Sequence, residues 1–125
     1  MILSEARGSS YDYGSACHAV DFKGAKMLSV HAAAGRTWAF PWVHFVAVEH
    51  RAGPAGETLR LTFSSAEIVI EGTGFLPLLQ AIAEFHLSLV RVLPAERRAG
   101  LPDSAPAVER IAVHESNTGQ QQEHY

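Results

Sequence analysis

Seven histidines among 125 residues raise the question of a metal site, because imidazole is the commonest metal ligand among side chains. His44 and His50 fall on one face of an extended run, but six residues span about 20 Å at ~3.3 Å per residue. One ion therefore cannot bind both within that strand. Glu84 and His86 lie on different sides of a predicted helix, and no HxH, HExxH or CxxC pattern occurs. The sequence predicts no metal and no cofactor, although ligands converging from separate strands would escape a test based on spacing.

Cys17 stands beside His18, which are the residue types of a thiol nucleophile and its base. Neighbours on a strand point to opposite faces, so His18 is badly placed to activate Cys17. The sequence therefore favours a buried, inert thiol. Cys17 is the sole cysteine, so no intrachain disulfide can form, which fits the reducing cytoplasm.

Two carboxylates could act as general acid and base if they met across a sheet. Nothing in the spacing brings any two together among Glu49, Glu67, Glu71 and Glu84. Glu67 and Glu71 fit the polar side of a strand and are interpreted as solvated. The sequence therefore favours a protein without catalytic activity, although it leaves the question of an enzyme open.

Aromatic residues give the best functional lead. Trp38, Phe40 and Trp42 share a face if the chain is extended, and His44 continues that face. Tryptophans near a strand broken by Pro41 are typical anchors for a protein partner or an apolar ligand. The alternative, commoner for large aromatics at every second residue, is that they belong to the core or to a subunit interface. The predicted ligand- or partner-binding residues are Trp38, Phe40, Trp42 and His44.

The turn Gly72, Thr73 and Gly74 precedes a predicted helix, where backbone N–H groups could bind an anion. The turn lacks a lysine and matches neither GxxxxGK[ST] nor GxGxxG. A plain connection from strand to helix is therefore favoured.

The composition limits the class of partner. Charged residues make up 18% of the chain, below the usual ~25%, and a surface short of charge is typical where a second copy covers part of it. The net charge of -3 argues against nucleic acid and anionic membranes as partners. No run approaches the ~20 apolar residues of a membrane-spanning helix, and the pattern of residues 1–10 leads us to expect no secretory signal. We expect a cytoplasmic homo-oligomer with one domain over residues 1–125, flexible at residues 1–10 and 115–125.

Residues 59–93 carry the clearest structural pattern. Apolar residues alternate over residues 59–63 and again, after a break at residues 64–66, over residues 67–71, which predicts a β-hairpin. The spacing then becomes helical from Phe75, through Leu78, Leu79, Ile82 and Phe85. Residues 87–93 fit either a continued helix or a strand, and their valines favour the strand.

The segments on either side have weaker patterns, but each still predicts a turn or a strand. Residues 11–14 fit a turn, and residues 18–22 and 26–33 fit two strands joined as a hairpin. Residues 42–51 form a strand that is apolar on both faces and should be covered on both sides. Residues 108–114 fit a last edge strand.

These patterns predict an α+β fold. A twisted antiparallel sheet of five or six strands, curved enough to approach a barrel, packs against one main helix in the C-terminal half. Hairpin, helix and returning strand resemble small PH-like and Sm-like proteins, a likeness of fold that carries no function.

The predicted function is a non-catalytic binding or assembly module that acts as a homo-oligomer, without nucleic acid, membrane or cofactor. One alternative is a small enzyme or ligand carrier with a pocket between helix and sheet, using His44, His50 or His86. A second is a small nucleic-acid-binding barrel.

Overall fold

The computed structural model describes residues 11–15, 17–32, 35–95, 100 and 105–115. The flexibility predicted for residues 1–10 and for nearly all of residues 115–125 falls outside them. The described residues form nine strands and one α-helix. The strands are β1 Tyr11–Ser15, β2 His18–Asp21, β3 Met27–His31, β4 Thr37–Pro41, β5 Phe45–Gly53, β6 Gly56–Phe63, β7 Ala66–Thr73, β8 Leu87–Arg91 and β9 Ala107–Glu115, and the helix is α1 Leu76–Ala83.

The strands are divided between two sheets, ordered β1-β2-β8-β3-β4 and β5-β6-β7-β9. Neighbours are antiparallel except β3 and β8, which are parallel. The predicted fold of one antiparallel sheet on a main helix is therefore wrong. The described strands form two sheets that do not close into a barrel, and the helix has only eight residues.

Pro41 accounts for much of this difference. The chain leaves β4 at Pro41, makes a short 3-10 turn over Trp42–His44, and enters β5 in the other sheet. Proline lacks an N–H to continue a ladder, so it favours a break at this place. The strand predicted over residues 42–51 begins late, and its two-sided cover is wrong because β5 is a largely exposed edge strand.

The predicted hairpin near the N-terminus is also wrong. Strand β8 lies between β2 and β3, so Leu89 is opposite Ala19 on one side and Ser29 on the other. Residues 11–15 form strand β1 rather than a turn. Alternation identifies a strand but not its neighbours, and a short connection does not force the flanking strands to pair.

The hairpin of the second half is confirmed. The helix predicted from Phe75 to about His86 is present but shorter, because it ends at Ala83 and leaves Phe85 outside it. Strands β6 and β7 pair with Leu59 opposite Ile70 and Leu61 opposite Ile68. Helix α1 buries Leu78, Ala81 and Ile82. Residues 87–91 are a strand, as their valines suggest, and β9 forms an edge next to β7.

One continuous apolar core joins both sheets and the helix. Its largest fully buried side chains are Phe75, Leu28, Leu59, Leu61, Ile68, Ile70, Leu78, Ile82, Leu87, Leu93, Val30 and Val90. Within the described part of the chain, no helix has the length and apolar character needed to cross a membrane.

Candidate apolar binding groove

Trp42 is fixed at the point where the chain passes from one sheet to the other. Its backbone N–H donates to the carbonyl of Lys26 at 2.9 Å, and its indole Nε1 donates to the carbonyl of Leu87 at 2.8 Å. The side chain is buried, and its donor is satisfied. Such a ring offers a large apolar surface whose position is held by hydrogen bonds.

Three phenylalanine rings surround Trp42. The centroids of Phe45, Phe63 and Phe85 lie 5.1, 5.5 and 5.7 Å from that of the indole. Phe85 also meets Phe45 edge-on at 6.2 Å. These distances fall in the favourable range for aromatic pairs, so the cluster forms a rigid floor.

Phe85 has an unusual backbone. It follows the end of α1 and has a φ of 57°, the only positive φ of a non-glycine residue in the described ranges. The Phe85 N–H donates to Ile82 and the His86 N–H to Ala81, which is the Schellman arrangement. Glycine usually holds this position because left-handed backbone costs other residues about 1 kcal/mol or more. Here the residue is a phenylalanine with 46% of its surface exposed.

An open groove of about 510 Å³ lies over this floor. Its two sides are joined by a hydrogen bond from the Ala25 N–H to the Phe85 carbonyl at 2.7 Å. Val43 projects beside it with 83% of its surface exposed. The lining residues are Ala25, Lys26, Met27, Pro41, Trp42, Val43 and Phe85, of which only Lys26 is charged.

Exposed apolar surface continues past the groove. The ring of Phe22 packs edge-on against His86 at 5.9 Å, and His86 Nδ1 lies 3.3 Å from a carboxylate oxygen of Glu84. We call Phe22, Met27, Val43 and Phe85 the apolar patch. They are four of the six large apolar side chains that are exposed among the described residues. Large apolar residues gathered at one place on a surface mark interaction sites.

The predicted aromatic residues are separated by the structure. Trp42 forms the groove floor, whereas Trp38, Phe40 and His44 do not line it. Trp38 is half-buried, stacked on Phe40 with the Arg36 guanidinium 4.8 Å above its ring. Phe40 is buried, and His44 is exposed.

Sequence reasoning missed six of the seven residues that line the groove, and three of them show why. In the sequence, Phe85 fits the apolar face of the predicted helix. The absence of a glycine where the helix ends is the one signal that could have singled it out. Val43 falls on the strand predicted over residues 42–51, which we expected to be covered on both sides. Met27 falls on the strand predicted over residues 26–33, where nothing in its pattern points to a binding site. Only the turn after Pro41 exposes Val43.

The histidines do not converge. His50 Nε2 lies 2.9 Å from the Glu57 carboxylate, whereas His44 is exposed and His86 contacts Glu84. In the parts of the chain that the structure describes, no three side chains among His, Cys, Asp and Glu are grouped as metal ligands. Cys17 is buried, and its sulfur accepts a hydrogen bond from the Val108 N–H at 3.3 Å.

Glu57 supplies the anion at the start of α1. Its carboxylate accepts hydrogen bonds from the N–H groups of Gly74 at 2.7 Å and Phe75 at 3.1 Å, besides its contact with His50. Partial burial acts to raise the pKa of Glu57, but these hydrogen bonds outweigh it and hold the pKa below its ordinary value. The backbone donors of Gly74 and Phe75, at the end of this turn, are thus bound by the chain's own side chain.

The outer face of the second sheet is polar and paired. Arg60 lies 3.3 Å from Glu67, and Arg51 lies 3.2 Å from Glu49. Arg110 donates to Glu71 at 2.8 Å. The Arg60–Glu67 and Arg110–Glu71 pairs join neighbouring strands, and such cross-strand pairs of opposite charge are typical of a solvated sheet face.

The comparisons with known proteins add no relative to this description. No family model, no curated protein and no solved structure matches the chain.

Proposed function

We propose that this chain is a non-catalytic assembly module that self-associates through the apolar patch. The observation that carries the proposal is the gathering of Met27, Val43 and Phe85 around one open groove, with Phe22 exposed against His86, the residue after Phe85. Removing apolar surface from water is favourable by roughly 25 cal/mol per Å². The low share of charged residues, 18%, points in the same direction.

The shape of the groove favours a protein surface as its occupant. Small-molecule sites usually enclose most of their ligand, whereas this groove is largely open to solvent. Val43 projects beside it, so the patch carries both a protruding side chain and a depression. A second copy would satisfy both at once, because a two-fold interface uses the same surface on each subunit.

Sedimentation velocity at tens of micromolar tests the proposal. We expect a dimer for the wild-type chain and a monomer for Val43→Asp, which places a charge within the apolar patch. Val43 is almost fully exposed, so this substitution should leave the fold and the melting temperature nearly unchanged.

Leu76→Asp is the matched control. Leu76 is also exposed and apolar, at 63%, but it lies in the first turn of α1, at the helix end remote from Phe85. A negative charge is tolerated there by the helix dipole, so this variant should remain dimeric. A wild-type chain that stays monomeric, or equal dissociation of both variants, would refute the proposal.

A small apolar ligand is the second candidate, because a volume of about 510 Å³ is within the range of ligand sites. No histidine lines the groove, so such a ligand would bind by burial alone. In a Trp38→Phe background, Trp42 fluorescence would report an occupant of the groove. Saturable one-to-one binding of anilinonaphthalene sulfonate, abolished by Val43→Asp in a monomeric chain, would favour the carrier.

A further inference from the structure

Strand β5 is an edge strand with one unpaired side. It stands first in the order β5-β6-β7-β9, and β6 is the only described strand that pairs with it. Residues 49–53 are all exposed, and the strand contains no proline. The open side of such a strand presents N–H and C=O groups to which a strand of another chain can pair.

The turn after β5 shows which of its backbone groups point outward. Gly53 is paired with Gly56 across a turn of two residues, and the residues that flank such a turn exchange hydrogen bonds. Bonded and non-bonded pairs alternate along antiparallel strands, so Arg51 and Glu49 also bond to β6. The groups that point away from β6 are those of Val48, His50 and Ala52. None of these groups has a hydrogen-bond partner among the described residues.

The next hairpin gives the same alternation. Phe63 is paired with Ala66 across another turn of two residues, so Phe63 and Leu61 bond to β7. Arg60, the next residue of β6, then bonds to β5 at Glu49, which lies opposite it. The outward direction of the groups on β5 therefore follows from both hairpins.

Glu49 and Arg51 place opposite charges on one face of β5. Arg51 Nε lies 3.2 Å from a carboxylate oxygen of Glu49, and the two side chains are 77% and 49% exposed, so each can also contact a group across the edge. His50, between them, has its side chain on the other face, where its ring contacts Glu57 of the same chain.

We infer that β5 pairs antiparallel with β5 of a second copy, about a two-fold axis that passes between their His50 residues. This register pairs Val48 with Ala52 and His50 with His50, so every outward N–H and C=O group of Val48, His50 and Ala52 is bonded. It also places Glu49 of each copy directly opposite Arg51 of the other.

Other registers are less favourable. Outward groups face each other only if the register moves by an even number of residues. A shift by two residues in either direction leaves some of these groups unbonded, and it places Glu49 opposite Glu49 or Arg51 opposite Arg51. Like charges directly opposite each other are destabilising. Strand β5 is therefore complementary to itself in one register, which favours a second copy over an unrelated strand.

This interface is separate from the apolar patch and does not depend on it. It consists mainly of backbone hydrogen bonds and exposed charges, each of which contributes little net free energy. We therefore expect a dissociation constant on the order of hundreds of micromolar. At such concentrations it would join patch dimers into larger assemblies, since one copy can pair through both surfaces.

Sedimentation equilibrium of the Val43→Asp chain, at several hundred micromolar and low salt, isolates this interface. We expect a monomer–dimer equilibrium. Adding Glu49→Lys or Arg51→Glu should each raise the dissociation constant about fivefold or more, because two attractions become two repulsions. An equimolar mixture of these two variants should associate at least as tightly as their parent, because every facing pair of the mixed dimer then has opposite charges.

Arg110→Glu, also in the Val43→Asp chain, is the matched control. Arg110 is exposed and pairs with Glu71, but it lies on β9 at the other edge of the sheet. Its substitution changes the net charge as much as Arg51→Glu does. Labelled Glu49→Lys should bind Arg51→Glu about fivefold more tightly than it binds Arg110→Glu. Equal binding would mean that net charge governs the association, and it would overturn the inference.

Ala52→Pro tests the backbone bonds. The Ala52 N–H points away from β6, so proline removes a bond to the second copy and leaves the ladder within the chain intact. Association should be lost, whereas Ala52→Ser, which keeps the N–H, should associate like its parent. Melting curves verify that the variants are folded.

The outcomes are independent of the proposed function. Association that survives Ala52→Pro in a folded chain would overturn the inference. A Val43→Asp chain that stays monomeric at several hundred micromolar would also overturn it, and would leave the edge of β5 to a strand of another protein. Neither result affects the patch dimer, which is tested at tens of micromolar by Val43→Asp and Leu76→Asp.

Discussion

The two ends of helix α1 contain backbone in the left-handed region, with a φ of 72° at Gly74 and 57° at Phe85. At the first end, glycine adopts this conformation without strain, and Glu57 binds the backbone donors that follow. At the second end, the backbone is also satisfied, but a phenylalanine holds the position that suits glycine. Phe85 lines the groove, and 46% of its surface is exposed.

The comparison distinguishes a helix end whose features all stabilise the fold from one that carries a feature the fold does not need. Every feature of the first end has a benefit inside the chain, because it satisfies groups that would otherwise lack a partner. At the second end, glycine would complete the same turn with less strain. A strained residue that persists while presenting an exposed ring is typical of functional positions. The proposed interface gives Phe85 that role.

The largest expected loss of stability comes from the body of the helix, because the packing of the helix on the core positions both of its ends. Ile82 is almost fully buried, so Ile82→Ala should lower the free energy of unfolding by about 2–5 kcal/mol. Leu76→Ala, on the same helix but exposed, should change it by less than about 0.5 kcal/mol. Urea melts measure both, and equal losses would show that the helix is not seated as described.

The next effect is confined to the first end. Glu57→Ala removes the acceptor for the Gly74 and Phe75 N–H groups and should cost about 0.5–2 kcal/mol, the range of helix-cap losses. Glu57→Gln keeps one carbonyl acceptor and should lose less. Urea melts provide the measurement, and an unchanged midpoint for Glu57→Ala would contradict the capping role.

The second end is tested by replacing Phe85 with glycine and with alanine. Both variants lose the same ring contacts with Trp42 and Phe45, but only glycine relieves the left-handed backbone. Phe85→Gly should therefore be more stable than Phe85→Ala by about 1 kcal/mol. Both should fail to dimerise in sedimentation experiments. A variant that kept the wild-type dimer would remove Phe85 from the interface.

Local patterns predicted the elements of the second half well. Alternation over residues 59–71 and helical spacing after Phe75 are properties of short segments, so they could be recognised without knowing the fold. The pairing of strands could not, because β8 enters between β2 and β3 from a distant part of the chain. Nothing in the sequence of β2 or β3 identifies β8 as the strand between them.

The candidate site shows the same limit. Trp42 was predicted from its type and from Pro41, but the groove also needs Met27 and Phe85, which come from other elements. Sequence reasoning assigned no role to Glu57, because its role depends on a helix that begins 19 residues later. Chemistry that arises from long-range proximity has no signature in local spacing.

The smallest expected effect is a change of stability with pH in the acidic range, and it should occur at the first helix end only. The pKa of Glu57 lies below its ordinary value of 4.5 in the folded chain, so the unfolded chain binds the proton more readily. Its contribution to stability is therefore complete above about pH 4.5 and is lost as the pH falls through the folded pKa. Glu57 is partly exposed, which keeps the effect modest.

Urea melts from about pH 6 to about pH 3 should show the stability difference between wild type and Glu57→Gln shrinking towards acid, where the wild-type carboxylate is protonated. The difference between Phe85→Gly and Phe85→Ala should stay constant over the same range, because it arises from backbone conformation and involves no titrating group. A Glu57→Gln difference that was also independent of pH would mean that the charge of Glu57 does not stabilise the start of the helix. The two ends would then differ in geometry alone.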